Sequence, residues 1–220
     1  MASALLSVQS LSGWLWNGVA LIEQPVKNVA HAVFLPEDKS LGKVQDCFKF
    51  VENSLAVRRC DKSSEMHQWR SPDSWRVQEV FYSDLNRDGT REFAILVWRS
   101  FQPWPIDKYL PLGGRINSHQ DSHGMSCHLI LIGWDGQEYR ELWAGSALAA
   151  PLTEIQFGDV DGDQYMELLA IENEYDGLGS GNLVVWKWQG FGFTLLDRVE
   201  GKFRNYSINQ TKNGLMIITN

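Results

Sequence analysis

The sequence lacks the short signatures that mark the commoner enzyme classes: it has no Gly-x-Ser-x-Gly elbow, no Gly-x-Gly-x-x-Gly, no P-loop and no His-Glu-x-x-His. Basic residues are fewer than acidic ones, 20 against 27, and nowhere cluster into a surface for a phosphate backbone, so nucleic acid is not expected as a partner. No apolar stretch approaches the roughly 20 residues that cross a bilayer as a helix, so no membrane span is expected. Cysteine is scarce. The three present allow one disulfide, with Cys47–Cys60 the shortest closure, and that count does not fix the compartment. The segment Met-Ala-Ser-Ala-Leu-Leu-Ser has neither the basic nor the apolar region of a signal peptide. Disorder is excluded by the opposite kind of evidence, because 44% of the 220 residues are hydrophobic and ten are Trp, ample for a packed core.

Two acidic loops of identical spacing dominate what is present: Asp84-Leu-Asn86-Arg-Asp88-Gly-Thr90-Arg-Glu92 and Asp159-Val-Asp161-Gly-Asp163-Gln-Tyr165-Met-Glu167. Calcium takes six to eight oxygens at roughly 2.3–2.6 Å. Oxygen side chains at positions 1, 3, 5 and 9, with the backbone carbonyl of position 7 (Thr90, Tyr165), meet that demand from one turn of chain. Two Ca²⁺ sites are therefore expected. The loops hold seven carboxylates of a chain whose formal charge is −7, and two divalent ions would bring that charge to −3. An EF-hand would need a bidentate Glu at position 12, but Ile95 and Ala170 stand there. Each loop runs instead into a short apolar segment, Phe93–Trp98 or Leu168–Ile171, read as a buried strand. Position 6 calls for a left-handed backbone, which suits Gly89 and strains Gln164.

A Phe or Tyr two residues before the first Asp (Tyr82, Phe157), the Asp-x-Asp/Asn-x-Asp core, the ninth-position Glu and the apolar strand after it resemble FG-GAP/VCBS-type repeats, with Gln164 a departure at position 6. The resemblance covers about 20 residues twice, near 78–98 and 153–172. It implies the calcium-bearing blades of integrin-alpha-like β-propellers and of secreted or surface proteins. On that footing the expected function is a non-enzymatic, calcium-stabilised domain that binds a protein or glycan partner. The expected location is extracytoplasmic, with the export signal removed from this sequence.

A second unit also recurs: a strand ending in Trp, a turn with Gly, and another strand. It appears at Trp16-Asn17-Gly18, Trp134-Asp135-Gly136 and Trp188-Gln189-Gly190, each read as a β-hairpin. Hairpins and acidic loops interleave. The expected fold is thus one all-β domain over residues 1–220, built of propeller-like blades of antiparallel four-stranded sheets, with a β-sandwich as the alternative. Insertions are expected near 25–76 (one or two strands and a loop) and near 99–127. At roughly 45–50 residues per blade the chain makes about four blades at most, and its two ends would join to complete one. Exposed sheet edges of a small propeller would favour an oligomer.

Other groupings are weaker. His119, Asp121, His123, Cys127 and His128 include zinc-ligand types without zinc-ligand spacing. One alternative is a polysaccharide hydrolase or lyase using the 99–127 loop with His119, Asp121 and His123, and another is a structural subunit of a cell-surface assembly. The pairs Trp14/Trp16 and Trp186/Trp188 each share a strand face and are read as core, while Trp98, Trp104 and Trp143 are read as candidates for an exposed ligand surface.

Overall fold

The computed structural model describes residues 11–26, 46–60, 68–102, 119–177 and 179–219. The fold is all-β. Its strands are β1 (Ser12–Trp16), β2 (Leu21–Gln24), β3 (Asp46–Val51), β4 (Ser54–Arg59), β5 (Trp69–Arg70), β6 (Arg76–Ser83), β7 (Glu92–Ser100), β8 (Met125–Trp134), β9 (Tyr139–Ala144), β10 (Leu152–Gly158), β11 (Glu167–Glu172), β12 (Gly181–Trp188), β13 (Phe193–Phe203), β14 (Tyr206–Thr211) and β15 (Gly214–Thr219). They form four antiparallel sheets, ordered β3-β4-β5, β6-β7-β8-β9, β10-β11-β12-β13 and β14-β15-β1-β2. No helix is long and apolar enough to cross a membrane among the described residues.

Alternation along the central strands explains how the sheets assemble. In β7, Phe93, Ile95 and Val97 pack with Leu55 and Val57 of β4, whereas Ala94, Leu96 and Trp98 on the other face pack with Phe157 and Leu168 of the following sheet. β11 repeats the arrangement, Leu168 and Ala170 facing back toward β7 and β8, Leu169 and Ile171 facing forward to Tyr206, Ile208 and Ile217. The central strands β7 and β11 are thus buried on both faces. That is why the segments after the two glutamates read as unbroken apolar runs instead of alternating ones. Successive sheets thus share a core in series, as stacked blades do.

The three expected hairpins are present as β1–β2, β8–β9 and β12–β13. Their turn glycines Gly18, Gly136 and Gly190 sit at φ of 98°, 104° and 80°, where a Cβ would be strained. The chain ends also meet: β1 pairs with β15 from Ser12↔Thr219 to Leu15↔Met216, so one sheet is completed by both termini of the described chain.

Segment 25–76 departs from expectation. Rather than one or two strands it supplies three, β3, β4 and β5, paired as a sheet of their own. Phe48, Phe50 and Val51 lie exposed on β3, so its apolar pattern does not track burial. A Cys47–Cys60 disulfide ties β3 to β4. Asp46 beside it is buried and accepts hydrogen bonds from Tyr82 (2.7 Å) and Tyr139 (2.5 Å), fixing this sheet to the next. Most of the expected excursion at 99–127, with Trp104, lies outside the described residues.

Candidate functional site

Both acidic loops lie at the same structural address. The first joins β6 to β7 and the second joins β10 to β11, and each is closed by the strand pair that brackets it, Ser83↔Glu92 and Gly158↔Glu167. Pairing therefore brings position 1 beside position 9. The Asp at position 1 then folds the turn around its own carboxylate. Asp84 accepts the amides of Asp88 (3.1 Å) and Gly89 (3.0 Å), and Asp159 accepts those of Gly162 (2.7 Å) and Gln164 (3.0 Å). Asp88 and Asp163 at position 5 accept the amides of Thr90 (2.8 Å) and Tyr165 (3.0 Å) at position 7. Asn86 and Asp161 at position 3 take the amides of Asp88 (2.9 Å) and Asp163 (3.3 Å).

The left-handed positions differ from the sequence expectation in an instructive way. Two residues per loop, not one, take positive φ: Arg87 (65°) and Gly89 (86°) in the first, Gly162 (80°) and Gln164 (72°) in the second. Each loop spends glycine on one of the two and accepts a side chain at the other. The loops are thus equivalent in backbone, and Gln164 does not spoil the second.

Carboxylate oxygens of Asp84, Asp88 and Glu92 lie within 4.8 Å of one another, and so do those of Asp159, Asp161, Asp163 and Glu167. Two ligands about 2.4 Å from a common calcium can be no farther apart than that, so both clusters could hold a metal ion. The glutamates supply the buried part. Glu92 and Glu167 are fully buried, and one oxygen of each accepts a backbone amide seven residues back, Leu85 (3.1 Å) or Val160 (2.9 Å).

Their remaining oxygens distinguish the loops. Glu92 Oε1 is buried without a hydrogen-bond partner. Burial, opposed by the Leu85 amide and reinforced by the Asp88 and Asp84 carboxylates, pushes its carboxyl up to about 8. Glu167 Oε1 accepts from Arg87 (3.1 Å), with Lys187 Nζ 3.7 Å away. Burial still pushes Glu167 up, to about 7. Arg87 and Lys187 also hold Asp163 (3.2 and 2.7 Å), and Lys187 is hydrogen-bonded to Asp161. Burial alone would raise Asp163, but Lys187, the Tyr165 amide and Arg87 pull it below the ordinary carboxylate range. Neither cation follows from the motif's spacing. Arg87 lay inside the first motif at a position with no ligand role, and Lys187 lay between the two tryptophans of a hairpin.

The histidine cluster does not gather. Asp121 caps its own turn by accepting the amides of His123 (2.9 Å) and Met125 (2.8 Å), and His119 meets the carbonyl of Ala147 (3.3 Å). Cys127 is buried in the core, while His128 contacts Ser126 Oγ (2.8 Å) and the Gly145 carbonyl (3.1 Å). Among the described residues only the two acidic loops bring three or more such ligands together. Trp98, read as a ligand-surface candidate, is only 9% exposed and donates to Gln78 (2.7 Å), and Trp143 packs edge-on against Trp188 and Phe193. The Trp186/Trp188 and Trp14/Trp16 pairs do pack on the cores, as their spacing implied.

Comparison with protein-family models, with curated proteins and with solved structures finds no match to this chain.

Proposed function

We propose that this chain is a calcium-stabilised, non-enzymatic all-β domain of FG-GAP/VCBS type that works outside the cytosol by binding a protein or glycan partner. The observation that carries the metal reading is Glu92 Oε1: a buried oxygen with no hydrogen-bond partner, on a carboxylate that lies within 4.8 Å of those of Asp84 and Asp88. Buried polar atoms are nearly always satisfied, and an ion is one of the few things that satisfies an acceptor there. Asp84, Asp88 and Glu92, with Asn86 and the Thr90 carbonyl as the remaining donors of the motif, would hold it. Calcium is favoured over magnesium because magnesium needs a tighter octahedral shell near 2.0–2.1 Å and keeps several waters. When bound, the ion would fix the β6–β7 turn and neutralise a buried charge.

The Cys47–Cys60 disulfide supports an oxidising compartment, and loops of modest calcium affinity stay filled where the ion is abundant. The test is thermal melting of chelated protein with and without added calcium, for wild type, Asp84→Ala and Asp159→Ala. The reading expects a calcium-dependent rise in Tm that Asp84→Ala abolishes. A wild-type melt indifferent to calcium would remove it. The partner class is read from a glycan array and from capture experiments using the calcium-loaded domain.

A further inference from the structure

The two loops share a backbone but not the residue at the equivalent position of the partner strand, and the strand registers show this. Leu168, the residue after the loop-two glutamate, pairs with Trp186, and Phe93, the residue after the loop-one glutamate, pairs with Ile132. One residue farther along each partner strand stands Lys187 in one sheet and Gly133 in the other. The hairpin turns give the same alignment, Trp188-Gln189-Gly190 on Trp134-Asp135-Gly136. Lys187 Nζ lies among the loop-two oxygens, hydrogen-bonded to Asp161, 2.7 Å from Asp163 and 3.7 Å from Glu167, with its side chain only 15% exposed. Gly133 carries nothing toward loop one. A Cβ there would stand 2.5 Å from Leu142 Cδ1 and 3.3 Å from Glu92 Cγ, so a larger residue would have to displace those side chains.

Arg87 extends the asymmetry. It belongs to the first loop, yet its guanidinium crosses to the second, reaching Asp163 and Glu167 and lying 4.5 Å over the Tyr165 ring. The equivalent residue of the second loop is Gly162, which has no side chain to pass onward. Loop one therefore exports a cation and keeps none at position 4, while loop two receives Arg87 and Lys187.

We infer that the second loop is neutralised by resident cations, the Lys187 ammonium standing where a divalent ion would sit and Arg87 bracing it, so that the chain's calcium demand falls on the first loop. A calcium about 2.4 Å from the same oxygens would have to expel a tethered, mostly buried ammonium. Arg87 makes the second loop depend on the first, because the turn that calcium would order is the one from which Arg87 projects. The inference deepens the calcium reading of the previous section and rests on it for the first loop alone.

The test is calcium stoichiometry and affinity, by isothermal titration and native mass spectrometry, on chelated wild type, Lys187→Met, Lys187→Gln and Arg87→Gln. One ion per wild-type chain, rising to two in a Lys187 variant and falling back to one on adding Asp159→Asn, is the expected result. Two wild-type ions, one in each loop, would overturn the assignment, because Lys187 and Arg87 would then not hold the second loop against calcium. If neither Lys187 variant changes stoichiometry or affinity, the inference is overturned. A wild type that binds no calcium, with a Lys187 variant that gains one ion at loop two, would remove the loop-one reading and leave only the loop-two assignment standing. Lys187→Gln keeps a polar group for Asp161 and Asp163, and Arg87→Gln acts from the other loop. A fold lost in Lys187→Met therefore does not end the test.

Discussion

Replacing Glu92 by Gln makes a prediction whose size depends on the metal. Glu92 is fully buried and its carboxyl is pushed up to about 8 from an ordinary 4.5, first by burial and then by its acidic neighbours. A carboxyl raised on folding contributes stability that is whole below the unfolded value and is lost as pH climbs through the folded one. At pH 7 the metal-free protein therefore bears the cost of keeping Glu92 protonated, at most about 3 kcal/mol for the interval from 4.5 to 7 at 1.36 kcal/mol per pH unit. Gln has no such cost, keeps an acceptor for the Leu85 amide, and offers an NH₂ to Asp84 and Asp88. Metal-free E92Q should melt higher than wild type at pH 7, by about 6–12 °C at 2–4 °C per kcal/mol for a chain of this size, and should converge with it near pH 4.5. Calcium at about one hundred times its Kd adds about 2.7 kcal/mol to wild type and far less to the variant, so the gap largely closes. Calorimetric melts at both pH values, with chelator and with calcium, read all four corners. A Glu92→Gln variant destabilised equally with and without calcium would refute the reasoning.

Three further outcomes follow from the fold. Cys60→Ser opens the crosslink that closes a 13-residue span over β3 and β4 and should cost about 3 kcal/mol in oxidised protein by denaturant titration, with no further loss when reductant is added. Burial lowers His128 to about 4. Stability it supports above 6.5 is lost as pH falls toward 4, at most about 3 kcal/mol, and His128→Gln should flatten that part of the stability–pH curve, whereas superimposable curves would count against it. Asp46→Ala leaves two tyrosine hydroxyls without their acceptor and should cost about 2–4 kcal/mol, read as a lowered midpoint of urea unfolding.

The parts of the fold that were legible in the sequence are those with local causes. Asn17-Gly18 and Asp135-Gly136 demand positive φ and so announce hairpins, and the apolar runs after Glu92 and Glu167 announce strands buried on two sides. The acidic spacing likewise places Asp84 beside Glu92 and Asp159 beside Glu167, because position 9 opens the strand that pairs back onto position 1. The rest depends on partners far away in the chain. β3 carries exposed Phe48 and Phe50, so its alternation misleads, and its attachment rests on Asp46 meeting tyrosines 36 and 93 residues distant. Lys187 and Arg87 act on a loop to which neither belongs. Lining up the two Trp-Gly hairpins would have set Lys187 against Gly133, but only the strand register shows that this position faces the glutamate.

The most direct measurement is anomalous scattering from crystals grown with calcium. The account predicts a peak about 2.3–2.6 Å from oxygens of Asp84, Asp88 and Glu92, with Glu92 Oε1 among its ligands. A first loop without a peak, its Glu92 oxygen bonded to water or a protonated neighbour, would contradict it.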